Sequence, residues 1–261
     1  MTRGLRKGAL SILAATTGAG KSALAGSITV NLVLPKSGEP SPVAFFSLEM
    51  GEQEITYRML SLVGRVNHDK LTRGALDSDE WARVHDAAAQ LRGAPLHLES
   101  EATLTPAALR STLRRLAARP EGLGLVVVDY LQLLTPDRQS TDGANRTREV
   151  AEIARSLKQA AMSLQVPVLA LAQLNRNVDA RPGGKPVLAD LKESGEIEQA
   201  ADLVLLIWRN QDKGDAVREI LVAKNRHGQR DVQVSVSWIG ERMRFGDLQR
   251  PHLAGDLGQA A

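Results

Sequence analysis

Ala15-Thr16-Thr17-Gly18-Ala19-Gly20-Lys21-Ser22 joins glycines, a lysine and a serine in the pattern of a phosphate-binding loop. The apolar run Leu10–Ala14 leads into it, and apolar residues at helical spacing leave it over Ser22–Leu34, so it joins a buried strand to a helix. Gly18 and Gly20 let the main chain turn its N–H groups inward around an anion, beside a helix N-terminus that already favours negative charge. Thr17, Gly18, Ala19 and Gly20 therefore read as a phosphate cradle that continues through Lys21, Ser22 and Ala23. In such a loop the lysine reaches the β- and γ-phosphates and the serine hydroxyl binds Mg2+. A Gly-rich turn followed by a surface lysine is the competing account, and the flanking strand and helix weigh against it. Position 15 is alanine where the common pattern has glycine.

A length of 261 residues suffices for one large α/β domain or two small ones, and 43% hydrophobic with 24% charged residues is a globular composition. No apolar run approaches the ~18 residues of a membrane span, so no membrane association is expected. Arg3, Arg6 and Lys7 ahead of Ala9–Ala15 mimic a signal peptide, but cleavage there would destroy the phosphate loop. A cytoplasmic location is the expectation. Zero cysteines exclude disulfides, thiolate metal sites and cysteine nucleophiles, and the five histidines show no metal-ligand spacing. With 3% aromatic residues the chain lacks the means to stack many bases. If it binds nucleic acid, it holds the phosphate backbone.

Past the break Pro35–Pro42, strand Val43–Leu48 is followed by helix Glu52–Val63. Asp77 and Glu80 form a capping box for a helix to about Arg92; strand Leu96–Glu99 comes next. Thr105 as N-cap and Pro106 at the first helical position open a helix to about Ala118. Leu125–Val128 ends in Asp129, and Val166–Ala172 ends in Gln173, with helix Thr147–Leu164 between them. Strands Leu203–Trp208, Arg218–Ala223 and Val232–Trp238 follow, the last two as an antiparallel hairpin. The pattern predicts an α/β fold: a mostly parallel sheet covered by helices on both faces. One domain is expected over 1–246, with a flexible tail over 247–261.

Two segments lack either periodicity. Thr135–Arg146 carries Asp137, Arg138, Asp142 and Arg146, and Asn175–Asp190 carries Arg176, Arg181 and Lys185. Both follow the C-terminal ends of buried strands, where open α/β sheets place ligands. Solvated loops with incidental charge are the alternative.

Phosphoanhydride hydrolysis needs a metal between the phosphates, a positioned water and positive charge where the transition state spreads its negative charge. Asp129 is the expected Mg2+ partner. Glu49, just past the strand Val43–Leu48, suits a base that orients water; the alternative is a favourable charge on the following helix. Gln173 could sense the γ-phosphate, or be a satisfied polar strand end. Lys224 and Arg226, two apart, face the same side of an extended segment. An arginine finger supplied to a neighbour has this form, and so does a solvated hairpin end.

Four further runs occur in order: Phe45-Phe46-Ser47-Leu48-Glu49-Met50, Val128-Asp129-Tyr130-Leu131-Gln132-Leu133, Leu171-Ala172-Gln173-Leu174-Asn175-Arg176, and Asp190 to Asp202 with Lys192-Glu193-Ser194-Gly195. With these the chain resembles, from about Gly4 to Phe245, the RecA-like motor domain of DnaB-type replicative helicases. That family's phosphate loop commonly begins with Ala. The resemblance implies a RecA-like P-loop fold and a homo-oligomeric, hexameric ring. ATP then sits at subunit interfaces, single-stranded DNA occupies the channel, and movement is 5′ to 3′. It implies that Lys21 and Ser22 serve phosphate and Mg2+, Glu49 activates water, Asp129 serves the metal and Gln173 senses the γ-phosphate. Lys224 and Arg226 then complete a neighbour's site, and Arg58 is an accessory residue near the γ-phosphate. Lys192, Glu193 and Gly195 match the segment that follows the DNA backbone; Arg176, Arg181 and Lys185 are read as further DNA contacts.

Lys192 stands where the family often has Arg, and His227 where Asn is common. A motor domain without the family's N-terminal helical domain and linker helix is the expectation. Weaker ring closure and no docking surface for primase are the expectations, with a helicase loader as a further partner. Two other tasks compete: a RecA-fold ATPase of recombination or loading, and a nucleotide-dependent DNA-binding module without processive unwinding.

Overall fold

The computed structural model describes residues 2, 4–101, 103–137, 146–175, 178, 181–191 and 194–248. The described residues build a nine-stranded sheet in the order β3-β2-β4-β5-β1-β6-β7-β8-β9. Its strands are β1 (Leu10–Ala15), β2 (Val43–Ser47), β3 (Leu96–Ser100), β4 (Leu125–Asp129), β5 (Val168–Gln173), β6 (Leu203–Trp208), β7 (Val217–Asn225), β8 (Val232–Ile239) and β9 (Arg244–Asp247). From β3 to β6 the pairing is parallel; β6 to β9 is an antiparallel extension. The helices are α1 (Lys21–Val33), α2 (Glu52–Gly64), α3 (His68–Thr72), α4 (Ser78–Gly93), α5 (Pro106–Ala117), α6 (Arg146–Leu164) and α7 (Ser194–Ala200).

The parallel strands read as unbroken apolar runs because both faces are covered. Along β1, Leu10, Ile12 and Ala14 enter one core with Leu109 and Leu113 of α5 and Ile153 and Leu157 of α6. Leu13 and Ala15 enter the opposite core with Ala25 of α1 and Ile55 and Met59 of α2. Alternation of side chains across a strand produces this division.

Caps set the helix starts. Asp77 Oδ1 accepts from Glu80 N at 2.8 Å while Glu80 Oε2 accepts from Asp77 N at 3.1 Å, the expected reciprocal box. Thr105 Oγ1 takes the Ala108 N–H at 3.2 Å, with Pro106 inside the first turn. Three elements lie beyond the sequence reading. Helix α3 is a short turn capped by Asn67, and α7 is only seven residues long, too few for a helical period to show. Strand β9 follows Met243, which is held at φ 49. A left-handed methionine carries no glycine or asparagine signal for a turn.

Candidate active site

Strand β1 lies between β5 and β6, with Ala15 level with Gln173 on one side and Ile207 on the other. The chain leaves the sheet there and turns through Thr16–Gly20 into α1, with Gly18 at φ 79 and Gly20 at φ 99. Both values favour glycine. No side chain caps α1 and no acid stands in its first turn, so its N–H groups are left for an anion. The loop opens on a cavity of about 510 Å3 lined by Thr17, Gly18, Gly20, Lys21, Ser22, Ala23, Glu49, Arg58 and Gln173, among others.

Lys21 Nζ lies 3.5 Å from Asp129 Oδ1 and 4.3 Å from the centre of the Tyr130 ring. Asp129 is fully buried, and among the described residues neither carboxylate oxygen has a hydrogen-bond partner. A buried carboxylate so poorly satisfied is costly unless a cation or ordered water completes it. With the Ser22 hydroxyl on the cavity wall, the donor set is hard oxygen, which fits Mg2+.

Glu49 is exposed on the cavity rim. Its turn is held by Ser47 Oγ, which donates to Met50 O at 2.8 Å and accepts from Met50 N at 3.2 Å. The Leu48 N–H donates to Asp129 O at 2.7 Å, tying this turn to the end of β4. Burial first, then the charges of Glu49 and Asp129, push the Tyr130 phenol above its usual value. Gln173 Nε2 donates to Thr17 Oγ1 at 3.0 Å, so this amide touches the phosphate loop itself. Arg58 pairs with Glu54 at 2.7 Å, and its buried Nε has no partner among the described residues.

The C-terminal strands form the wall that sequence reasoning missed. Trp238 and Met243 line the cavity, and Phe245 packs on Trp238 with ring centres 4.7 Å apart. A Cβ on Gly20 would come within 2.9 Å of Phe245 Cζ, so this glycine serves close approach as well as its φ. Buried Arg218 on β7 donates from Nε to Ala19 O at 3.2 Å and lies 5.6 Å over the Trp238 ring. Of eight aromatic residues in the chain, Tyr130, Trp238 and Phe245 gather here. In a chain so poor in aromatics, that scarcity was the available signal.

Lys224 and Arg226 are not at this cavity. Asn225 pairs with Leu203, which is level with Ser11, whereas the loop begins beyond Ala15. They therefore lie roughly 13 Å down the strands from the loop, at about 3.3 Å per residue. Lys224 Nζ donates to Glu198 O at 2.5 Å and Arg226 Nη2 to Gln199 O at 2.6 Å, both on α7. Burial and the neighbouring Arg226 push the Lys224 ammonium below its usual value.

The segment between β5 and α7 is closed by an antiparallel bridge, Leu174 to Leu191, and by Asn175 N donating to Asp190 O at 2.8 Å. Arg181 forks onto both oxygens of Asp190, which also accepts from Val187 N at 2.7 Å. Burial alone would raise the Asp190 carboxyl, but these bonds outweigh it and hold it below its usual value. Arg181 is thus committed to the framework of the loop. Lys185 and Gly195 are exposed; Arg176, Lys192 and Glu193 lie outside the described residues, as do Arg138 and Asp142. Arg146 instead donates to Gln132 O and pairs with Glu149 at 2.8 Å.

A phosphate loop between the central strand and α1, an acid ending β4 and a polar amide ending β5 define a RecA-like P-loop nucleotide-binding fold. The chain belongs to the family described as the DnaB-like helicase C terminal domain, whose profile matches residues 1–247. It is 37% identical over 255 residues to the replicative DNA helicase DnaC of Bacillus subtilis, covering 96% of this chain and 55% of that protein. With the replicative DNA helicase DnaB of Geobacillus stearothermophilus the identity is 38% over 255 residues, at the same coverage of 96% and 55%. The chain thus spans about half the length of the curated relatives it matches. Among solved structures, a DnaB-like replicative helicase described with its interactions with primase superposes with TM-score 0.85 at 31% identity, over 94% of this chain and 59% of that one. The ATPase domain of G40P gives TM-score 0.84 at 30% identity, over 94% and 86%. Among the described residues no helix is long and apolar enough to cross a membrane.

Proposed function

We propose that this chain is the ATP-driven motor of a cytoplasmic replicative DNA helicase. Subunits of a hexameric ring hydrolyse ATP at their interfaces and move 5′ to 3′ along single-stranded DNA. The observation that carries this reading is the distance between the phosphate loop and the Lys224–Arg226 pair within a single subunit. A phosphate cradle with its acids sits at the C-terminal ends of the parallel strands, and the Lys224–Arg226 pair sits at the opposite end. A finger that far from its own loop suits the nucleotide of a neighbour.

In this reading Gly18 to Gly20 and the first turn of α1 hold the phosphates, and Lys21 exchanges Asp129 and the Tyr130 face for phosphate oxygens. Mg2+ held by Ser22 and Asp129 would draw off charge between the β- and γ-phosphates. Glu49 accepts the proton of the attacking water as the new P–O bond forms and the bond to the β-phosphate oxygen breaks. Gln173, already bonded to Thr17, registers whether a γ-phosphate is present. Arg58 turns from Glu54 toward the same oxygens, and Arg226 with Lys224 stabilises the transition-state charge next door. Directly beyond Gln173 comes the loop carrying Arg176 and Lys185 and then Lys192, Glu193 and Gly195, which would follow the DNA backbone. Arg181, through Asp190, keeps that loop in shape. A loading protein is a proposed partner.

The test is the ATPase rate with and without single-stranded DNA, read alongside particle mass and displacement of a strand from a forked duplex. DNA-stimulated hydrolysis by an oligomer that opens the fork is expected. Hydrolysis without displacement would favour a recombination or loading ATPase, and DNA binding without hydrolysis a binding module. DNA affinity should fall steeply with salt and depend little on sequence.

A further inference from the structure

Asp202, between α7 and β6, is only 4% exposed and has no part in the chemistry above. Its Oδ2 accepts from the Leu10 N–H at 2.9 Å and from Lys158 Nζ at 2.7 Å. Lys158, on α6, also donates to Gly8 O at 2.9 Å. The main chain of Asp202 is held on both sides: its N–H donates to Leu10 O at 2.9 Å, and its carbonyl accepts the Arg226 N–H at 2.9 Å. The second carboxylate oxygen, Oδ1, lies 3.6 Å from Arg226 Nη1. One buried carboxylate therefore joins the first residue of β1, helix α6 and the end of β7.

The distances decide what that junction does to Arg226. Lys158 is the nearer cation, at 2.7 Å from Oδ2 against 3.6 Å for Arg226 from Oδ1, so the guanidinium is held more loosely than the ammonium. The Arg226 side chain stays 48% exposed, with Nη2 on Gln199 O at 2.6 Å. We infer that Asp202 is a positioning residue for the basic pair: it fixes the ends of β7 and α7 against the base of β1 and so presents Arg226 at a set distance from the phosphate loop of its own chain. In a ring, that distance fixes where the finger meets the next subunit's nucleotide. The inference rests on the reading in which Arg226 acts on a neighbour.

Asp202→Asn keeps the shape of the junction and removes its charge. In the full chain with single-stranded DNA, kcat for ATP should fall about 10- to 100-fold, as a misplacement near 1 Å does elsewhere, with nucleotide Kd unchanged. Mixed with Glu49→Gln subunits, Asp202→Asn subunits should recover hydrolysis, because the partner supplies an intact finger to sites that keep their own Glu49. Arg226→Ala mixed with Glu49→Gln runs in parallel, and two affinity tags prove co-assembly. Recovery with Arg226→Ala but not with Asp202→Asn overturns the inference and leaves the trans reading standing. A wild-type kcat for Asp202→Asn overturns it too. Recovery with neither removes the trans reading and the inference with it. Should Asp202→Asn not fold by thermal melting, Lys158→Met reaches the junction from its solvent side. Arg226 is then the nearest remaining cation among the described residues, and kcat should fall with the same rescue; an unchanged kcat overturns the inference.

Discussion

Where β1, β4 and β5 end, residues of the candidate nucleotide site already touch one another: Lys21 on Asp129, Gln173 on Thr17, Arg218 on Ala19. At the other end of the sheet, among the described residues, the Lys224 and Arg226 side chains meet the Glu198 and Gln199 carbonyls of α7 and the Asp202 junction. The first region is assembled within one chain around an open cavity. The second is half-exposed and directed at nothing in its own cavity. Nucleotide binding and nucleotide hydrolysis should therefore separate, the first a property of the subunit and the second of the assembly.

Arg226→Ala should have the largest effect. In the assembled, DNA-bound state kcat should fall about 10³- to 10⁵-fold, the range for an arginine finger, while the isolated subunit binds nucleotide as before. A parallel loss of affinity in the isolated subunit would return Arg226 to its own site and erase the contrast. Lys21→Ala acts on the first region. It should weaken nucleotide binding equally in subunit and ring, as calorimetry can measure, and lower kcat by about 10²- to 10³-fold. Affinity lost only in the ring would show that the loop is not preformed.

Two glycines sharpen the description of the first region. Gly18 at φ 79 faces open space, whereas a Cβ on Gly20 at φ 99 meets Phe245. Gly18→Ala should cost about 1–2 kcal/mol in urea unfolding, the penalty of a left-handed L-residue. Gly20→Ala should add about 1–3 kcal/mol for overpacking, and Phe245→Ala should remove that excess in a double-mutant cycle. Equal costs at both glycines would mean that the C-terminal wall does not press on the loop.

The two halves also differed in how far they could be read from sequence. The strand, loop and helix around Lys21 are contiguous, and Asp129 and Gln173 are polar residues ending apolar runs, so local pattern suffices to place them. Arg218 is different: it meets Ala19 across a separation of 199 residues, at the head of an antiparallel extension. No local period announces that contact, nor the one between Phe245 and Gly20. Lys224 and Arg226 were visible as a pair, but only the register of β6 against β1 and β7 shows which end of the sheet they occupy. Arg181 read as a loop cation; its fork onto Asp190 depends on loop closure, which charge spacing does not encode.

Strand β7 connects the two regions, with Arg218 near its start and Lys224 near its end, and the residue after Arg218 gives the smallest test. Glu219 is buried and accepts from Lys213 Nζ at 2.7 Å, Ser235 Oγ at 2.7 Å and Gln233 Nε2 at 2.9 Å. Burial alone would raise its carboxyl, but these three bonds outweigh burial and hold it below its usual value. A carboxyl lowered by folding contributes stability above its unfolded value, near 4.3, and loses that contribution as pH falls through the folded value. Glu219→Gln should therefore be less stable than wild type at pH 7 by about 1 kcal/mol, since an amide oxygen still accepts from Ser235 or Gln233. As pH falls through the lowered folded value the two proteins should converge. Because Glu219 lies at the phosphate-loop end of β7, the same acid range should loosen nucleotide binding in wild type while the Lys224–Arg226 end, far along the strand, keeps its hydrogen-exchange protection. Loss of protection at both ends together would mean that β7 yields as one unit and couples the two halves rigidly.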